Sequence, residues 1–136
     1  MADNGNWREI MGDDVYALKS TGIEVLEARA GYARTRLPVT PAIMNGHGNV
    51  HGGALFTLAD YTAALASNMY GVPTVAVNGS ISFLRAVRGG ELTAEAKTVK
   101  SGRRMAVMTV EIQDASGRLA AVFQGAGLTV VREAGA

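Results

Sequence analysis

Between Leu37 and Leu84 the chain contains one carboxylate, Asp60, and neither Lys nor Arg, although both of its histidines, His47 and His51, lie there. Burying a carboxylate in so uncharged a stretch is costly unless the group is paired or used. On a helix, Asp60 has Phe56, Ala63, Ala64 and Ser67 as neighbours at i−4, i+3, i+4 and i+7, all small or apolar. A carboxylate in that setting can activate water as a general base or attack a carbonyl directly. The competing reading is structural, with Asp60 held by Ser67, Asn45 or a backbone amide.

The loop ahead of it runs Asn45-Gly46-His47-Gly48-Asn49-Val50-His51-Gly52-Gly53. Glycine permits tight turns and close approach of a ligand to the backbone. Unpaired amides at a helix start, around Gly52 and Gly53, would form a donor pocket for a developing oxyanion. A capping loop whose glycines serve geometry alone is the alternative, and the loop matches neither GxGxxG nor a Walker A pattern. His47 and His51 are four apart but have no Cys and no second carboxylate nearby, so no metal site is expected. No GxSxG elbow occurs.

The helix that would carry Asp60 reads from Gly52 to Tyr70, rich in Ala and Leu and stopped by Gly71 and Pro73. Its apolar residues run almost all the way round, so most of its faces should be buried. Upstream, the spacing predicts a helix over Asn6–Ala17 and strands over Gly22–Ala28 and Gly31–Leu37, with Ala33, Thr35 and Leu37 on one face. Downstream, period-two alternation marks strands over Thr74–Leu84, Glu91–Val99, Met105–Gln113 and Leu119–Val131. In the first of these, Val75, Val77, Gly79, Ile81 and Phe83 alternate with Thr74, Ala76, Asn78, Ser80 and Ser82. An α+β domain, one antiparallel sheet wrapped around one long central helix, is the simplest packing.

No repeat or linker divides the 136 residues, so one domain over 1–136 is expected. With 48% hydrophobic and 18% charged residues the chain is no disordered tail. Zero Cys excludes disulfides, thiolate metal sites and Cys nucleophiles. The polar, acidic start MADNGNWREIMGDD is unlike a signal or transit peptide, and no apolar run reaches the ~20 residues of a membrane span. A soluble, cytoplasmic protein that does not enter a membrane is expected. A net charge of +1 gives no reason to expect nucleic acid. Charge is nonetheless uneven, since residues 85–104 hold six bases (Arg85, Arg88, Lys97, Lys100, Arg103, Arg104) and two acids. Those bases are either a solvated rim or a landing site for phosphates.

The run NGHGNVHGGALFTLAD (45–60) closely resembles the signature of hotdog-fold acyl-CoA thioesterases of the phenylacetate-degradation type. VNGSISFLRAVRGGELTAEAKTVKSGRR and DASGRLAAVFQGAGLTV resemble that family too, so the likeness covers nearly the whole chain after the opening helix. It implies a hotdog fold, a general base or nucleophile at Asp60, and a Gly52 amide that polarises the thioester carbonyl. Asn45 would help to hold the reacting groups or water, and His51 would support the loop. A polar residue on the following strand often assists in the family; Thr74 is present, but Ala76 stands nearer the expected place. The implied substrate is an acyl-CoA with aryl, short or medium acyl part, met by Gly53 and Thr74, with its phosphates near Arg85, Arg88, Lys100, Arg103 or Arg104. CoA is then part of the substrate, so no cofactor is implied. The resemblance further implies a homodimer, doubled into a homotetramer.

Helix geometry adds its own constraint. Gly52 and Asp60 are eight residues apart, ~12 Å along a helix axis. One straight helix cannot hold a carbonyl ~3 Å from that amide and also within attack distance of its own Asp60. A second, antiparallel helix across a two-fold axis can, so active sites shared between two copies are expected. Two other classes stay open: a hydratase or dehydratase on the same fold, whose His–carboxylate pairing Asn45 and Asp60 fit poorly, and a non-catalytic acyl-CoA-binding protein.

Overall fold

The computed structural model describes residues 5–130, which build one six-stranded sheet folded around one long helix. In chain order the elements are α1 (Trp7–Met11), a π-helical turn (Tyr16–Thr21), β1 (Glu24–Arg29), β2 (Tyr32–Pro38), a 3-10 turn (Pro41–Ile43) and α2 (Gly52–Asn68). Then follow β3 (Thr74–Phe83), β4 (Glu91–Ser101), β5 (Met105–Gln113) and β6 (Leu119–Thr129). The strand order is β1-β2-β4-β5-β6-β3, with every neighbouring pair antiparallel. This is the α+β hotdog architecture that the sequence led us to expect.

The sheet can wrap α2 because its inward side chains are small where the helix lies closest. Ala33 and Thr35 of β2, Ala94 and Ala96 of β4 and Ala106 of β5 are all buried, which leaves room for Leu55, Leu58 and Leu65 of α2. Leu37, Leu92, Val110 and Ile112 supply the bulk around them. One polar pair crosses this core. The Thr62 hydroxyl donates to the Leu58 carbonyl (2.6 Å) and lies 2.7 Å from Thr35 Oγ1, so the Thr35 hydroxyl must donate to Thr62.

Three expectations are corrected. The opening helix stops at Met11, not Ala17, because Gly12-Asp13-Asp14 interrupts it. The Gly12 amide closes α1 on the Arg8 carbonyl (3.0 Å), and Asp14 Oδ1 accepts from the Ala17 amide (3.0 Å), starting the separate π-helical turn. α2 ends at Asn68, not Tyr70. Asn68 is a buried clamp: Nδ2 donates to the Ala64 carbonyl (2.8 Å) and Oδ1 accepts from the Thr74 amide (2.9 Å), tying the helix end to the start of β3.

β3 does not alternate strictly. Its register against β6 skips Val77, a bulge that changes which parity faces the helix. Thr74 and Ala76 pair with Thr129 and Gly127, whereas Gly79, Ile81 and Phe83 pair with Gly125, Phe123 and Ala121, all three of which are buried. The helix-facing set is therefore Thr74, Ala76, Gly79, Ile81 and Phe83. β3 is also a sheet edge. The other edge, β1, carries Glu24, Glu27 and Arg29, but β3 has no charged residue, and Val75 and Val77 are 54% and 50% exposed. A ten-residue edge so unprotected is a template for another strand.

Thr62→Val strands the buried Thr35 hydroxyl and should cost ~1–3 kcal/mol of unfolding free energy. Adding Thr35→Val should recover part of that loss in urea melts. A double variant no more stable than the single one would show that the hydroxyl is not stranded.

Candidate active site

A tightly tied loop sets the start of α2. The Asn45 amide donates to the Asn49 carbonyl (2.7 Å), while Asn45 Oδ1 accepts from the amides of His47 (2.9 Å) and Asn49 (3.1 Å). Gly48 turns the chain at φ 80°, where any side chain would be strained. The Val50 amide bonds to the Val87 carbonyl (2.8 Å) and the His51 amide to the Ile43 carbonyl (2.7 Å), so the loop is fastened before the helix begins. His51 then caps α2, its Nδ1 accepting from the Gly53 amide at 2.8 Å. That bond spends the Gly53 donor, which removes it from the expected donor pocket. Among the described residues the Gly52 amide has no acceptor. The pocket narrows to one N–H, at the positive end of a 17-residue helix.

Asp60 lies two turns further on, half-buried. It borders a cavity of ≈ 30 Å³ whose other walls include Ser67, Thr74, Ala76, Asn78 and Phe123. That volume has room for about two water molecules at ~10–15 Å³ each. The cavity exists because the facing strands are stripped of bulk, with Ala76 on β3 opposite Gly127 on β6 and Gly125 two residues before it. The structural reading of Asp60 fails on its named partners. Ser67 bonds to the Thr74 hydroxyl (2.7 Å) and the Ala64 carbonyl (3.2 Å), and Asn45 serves its own loop. Among the described residues no hydrogen bond or ion pair reaches the Asp60 carboxylate. Burial pushes its pKa above the usual carboxylate value, and the nearby charge of Asp14 adds to the rise. Asp60 is thus a stronger base than an ordinary aspartate, and an unoccupied one.

Thr74 reaches the same cavity, held there by Ser67 and Asn68. Ala76 lines it too, so Thr74 is the polar side chain that the helix-facing parity of β3 offers there, while Asn78 lies on the other parity with Ser80 and Ser82. Asn68 and Phe123 were not singled out from the sequence. The glycines at 125 and 127 were the available signal, since glycine inside a strand marks close approach or missing bulk.

The basic cluster does not stay together. Arg85 and Arg88 precede β4, whereas Lys100, Arg103 and Arg104 lie at its far end, roughly 30 Å away along an eleven-residue strand. Lys97 pairs with Glu95 (3.3 Å). Among the described residues the other five form no ion pair. Arg88 shares a cleft with Thr40, Met44 and Gly48, beside the loop that leads to Gly52. Arg103 shares another with Ser67, Tyr70 and Thr74, next to the Asp60 cavity. No group of three or more His, Asp or Glu side chains suited to a metal gathers among the described residues, and no helix there is long and apolar enough to cross a membrane.

Residues 47–121, which hold most of this geometry, match the family described as the thioesterase superfamily. Over 108 residues the chain is 37% identical to the acyl-coenzyme A thioesterase PaaI of Escherichia coli K12, covering 79% of this chain and 77% of that one. The solved structure of the E. coli PaaI protein from the phenylacetic acid degradation operon superposes with a TM-score of 0.87 at 32% identity, covering 93% and 92% of the two chains. A thioesterase protein of Streptococcus pneumoniae TIGR4, solved with coenzyme A, superposes with a TM-score of 0.82 at 27% identity over 93% and 98%.

The raised pKa of Asp60 has a consequence for stability. Folding favours the protonated carboxyl, so this contribution is fully present below the unfolded-state pKa and is lost as pH rises through the folded value. Asp60→Asn should therefore melt at a higher temperature than the native chain at pH 7, with the gap closing toward pH 4. Calorimetry at the two pH values checks this, and an unchanged or lower midpoint at pH 7 would mean that the fold compensates the charge.

Proposed function

We propose, because the chain belongs to the thioesterase superfamily and is a thioester hydrolase, that it cleaves acyl-CoA to free acid and CoA at sites shared between two copies. The observation that carries this reading is the pairing of one unpartnered, basic carboxylate beside a water-sized cavity with one unused amide at a helix start. Acyl-CoA as substrate is supported by the E. coli relative, named for that activity, and by the streptococcal relative solved with coenzyme A. Acyl groups in view are aryl-acetyl and short or medium chains.

The thioester carbonyl accepts from the Gly52 amide of one copy. Water beside the partner subunit's Asp60 loses a proton to that carboxylate as it attacks the carbonyl carbon, and the Gly52 N–H stabilises the oxyanion. The intermediate then collapses, the C–S bond breaks, and the leaving thiolate takes the proton from Asp60. Room for water in the cavity favours the general base over the nucleophile. Asn45 keeps Gly52 aimed by bracing its loop, His51 caps the helix, and Thr74 furnishes a polar contact at the cavity. CoA enters as part of the substrate, and no other group is needed. In the shared arrangement Arg88 approaches from the Gly52 side and the partner subunit's Arg103 from the Asp60 side, where phosphates could lie. The uncharged β3 edge supplies the strand-to-strand contact for the dimer, and the same reading takes two dimers as a tetramer in the cytoplasm.

Incubation with phenylacetyl-CoA should release free thiol, and Asp60→Asn should lower turnover by ~100-fold or more. Hydration without release would select a hydratase, and binding without turnover a carrier. Asp60→Ala and Asn45→Ala chains, unfolded and refolded together in equal amounts, should recover roughly a quarter of native activity, because about half of the dimers are mixed and each has one intact site. A mixture as inactive as its parents, with mixed dimers confirmed by mass, would refute the shared site.

Replacing Arg103 and Arg104 with Ala should raise KM for acyl-CoA more than for the matching acyl-pantetheine, and less so as salt increases. Equal effects on both substrates would return these residues to the solvated rim.

A further inference from the structure

The register of the shared site leads to one more residue on α2. Among the α2 residues that stay at least partly exposed, Gly52, Phe56, Asp60 and Ala64 follow at four-residue steps and so share a stripe. Phe56 is the one large apolar side chain in that stripe, 38% exposed. When Gly52 opposes the partner's Asp60, the two-fold also sets Asp60 opposite the partner's Gly52, and residue 56, midway between them, faces itself.

The proposed pairing of the two β3 edges puts the axis in the same place. The edge strand β3 spans Thr74–Phe83, so pairing with its own copy along the full length centres between Asn78 and Gly79. A Cβ added to Gly79 would lie 3.2 Å from Phe56 Cζ, which means that the middle of the edge strand passes over this ring. The ring is also held from within the chain, edge to face against buried Phe123 (centroids 5.5 Å apart, planes at 83°).

We infer that Phe56 meets the partner's Phe56 on the two-fold axis and is a positioning residue, setting the register that brings each Gly52 amide to the opposite Asp60. A slip of one helical turn, ~5.4 Å, would carry the base out of attack distance. A ring braced by Phe123 and Gly79 on each side resists that slip. The inference rests on the shared-site reading, but its test does not need activity.

The chain has no Cys, so a single introduced thiol reports one distance. Phe56→Cys and Ala64→Cys chains, each confirmed dimeric by mass, are treated with a short bis-maleimide. Two residues 56 should be joined readily. Two residues 64 lie eight positions from the axis on opposite sides, ~24 Å apart, and should give less than a tenth of that product. Equal yields, or none at 56, would overturn the inference. In activity, Phe56→Ala should lower kcat ~10-fold or more with KM changed less than about twofold, and Phe56→Leu should restore most of the loss. A dimeric Phe56→Ala with native kcat would also overturn it. Were that to happen while Asp60→Ala and Asn45→Ala chains still complemented each other, the shared site would stand and only the role of Phe56 would fall; a monomeric native chain would overturn both.

Discussion

An α-helix advances about 1.5 Å per residue and does not compress, and most of what this chain needs follows from that stiffness. α2 is stiff because Leu55, Leu58, Leu65 and their neighbours are locked into a curved sheet, and because both ends are tied, by His51 at Gly53 and by Asn68 at Thr74. A helix held so firmly places Gly52 and Asp60 well, but on its own surface it keeps them two turns apart. Flexibility cannot close that gap without breaking the core. On the shared-site reading a second copy closes it, and the surface that reading needs is at hand: an uncharged edge strand above a partly exposed helix stripe.

The same rigidity explains why Asp60 stays uncompensated. Ser67 and Thr74 hydrogen-bond to each other, Asn45 to its loop, and the strands facing Asp60 carry Ala and Gly. Each of those choices withholds a donor from the carboxylate. The result is a group that burdens the fold when ionised and is for that reason a better proton acceptor. A thioester suits such sparse machinery, because a thiolate leaves without protonation ahead of time. On the proposed reading, one base and one amide are then a sufficient set.

Much of this was legible in the residues. A single charged residue in a stretch of forty-eight marked Asp60, and period-two runs marked β3 to β6 with ends within two residues of those observed, although Val131, where β6 was expected to end, lies outside the described residues. What could not be read involved competition between nearby groups. The amphipathic spacing of residues 6–17 hid an Asp14 cap that starts a new turn. The bulge at Val77 conceals itself because Val75, Val77 and Gly79 keep an unbroken period, and only pairing with β6 reveals the skipped residue. The Gly53 amide looked free until His51, two residues back, was seen to accept from it. The first and last of these are local in sequence and decided by one hydrogen bond, whereas the bulge is decided by a strand distant in sequence.

The basic residues show the opposite case, where proximity in sequence misleads at long range. Arg88 and Arg103 are fifteen positions apart, yet β4 lies between them and carries them to opposite ends of the sheet. Within one chain that separation defeats a common phosphate site. Across a two-fold axis it does the reverse, because an antiparallel partner sets its Asp60 end against the Gly52 end of the first chain. Arg88 lies by the loop before Gly52, and Arg103 opens onto the cleft beside the Asp60 cavity. The operator that joins amide to base in the shared-site reading therefore also brings these two cations toward one substrate, one from each chain. On that reading, the alignment of both is what separates a shared site from a pairing that merely buries an edge strand.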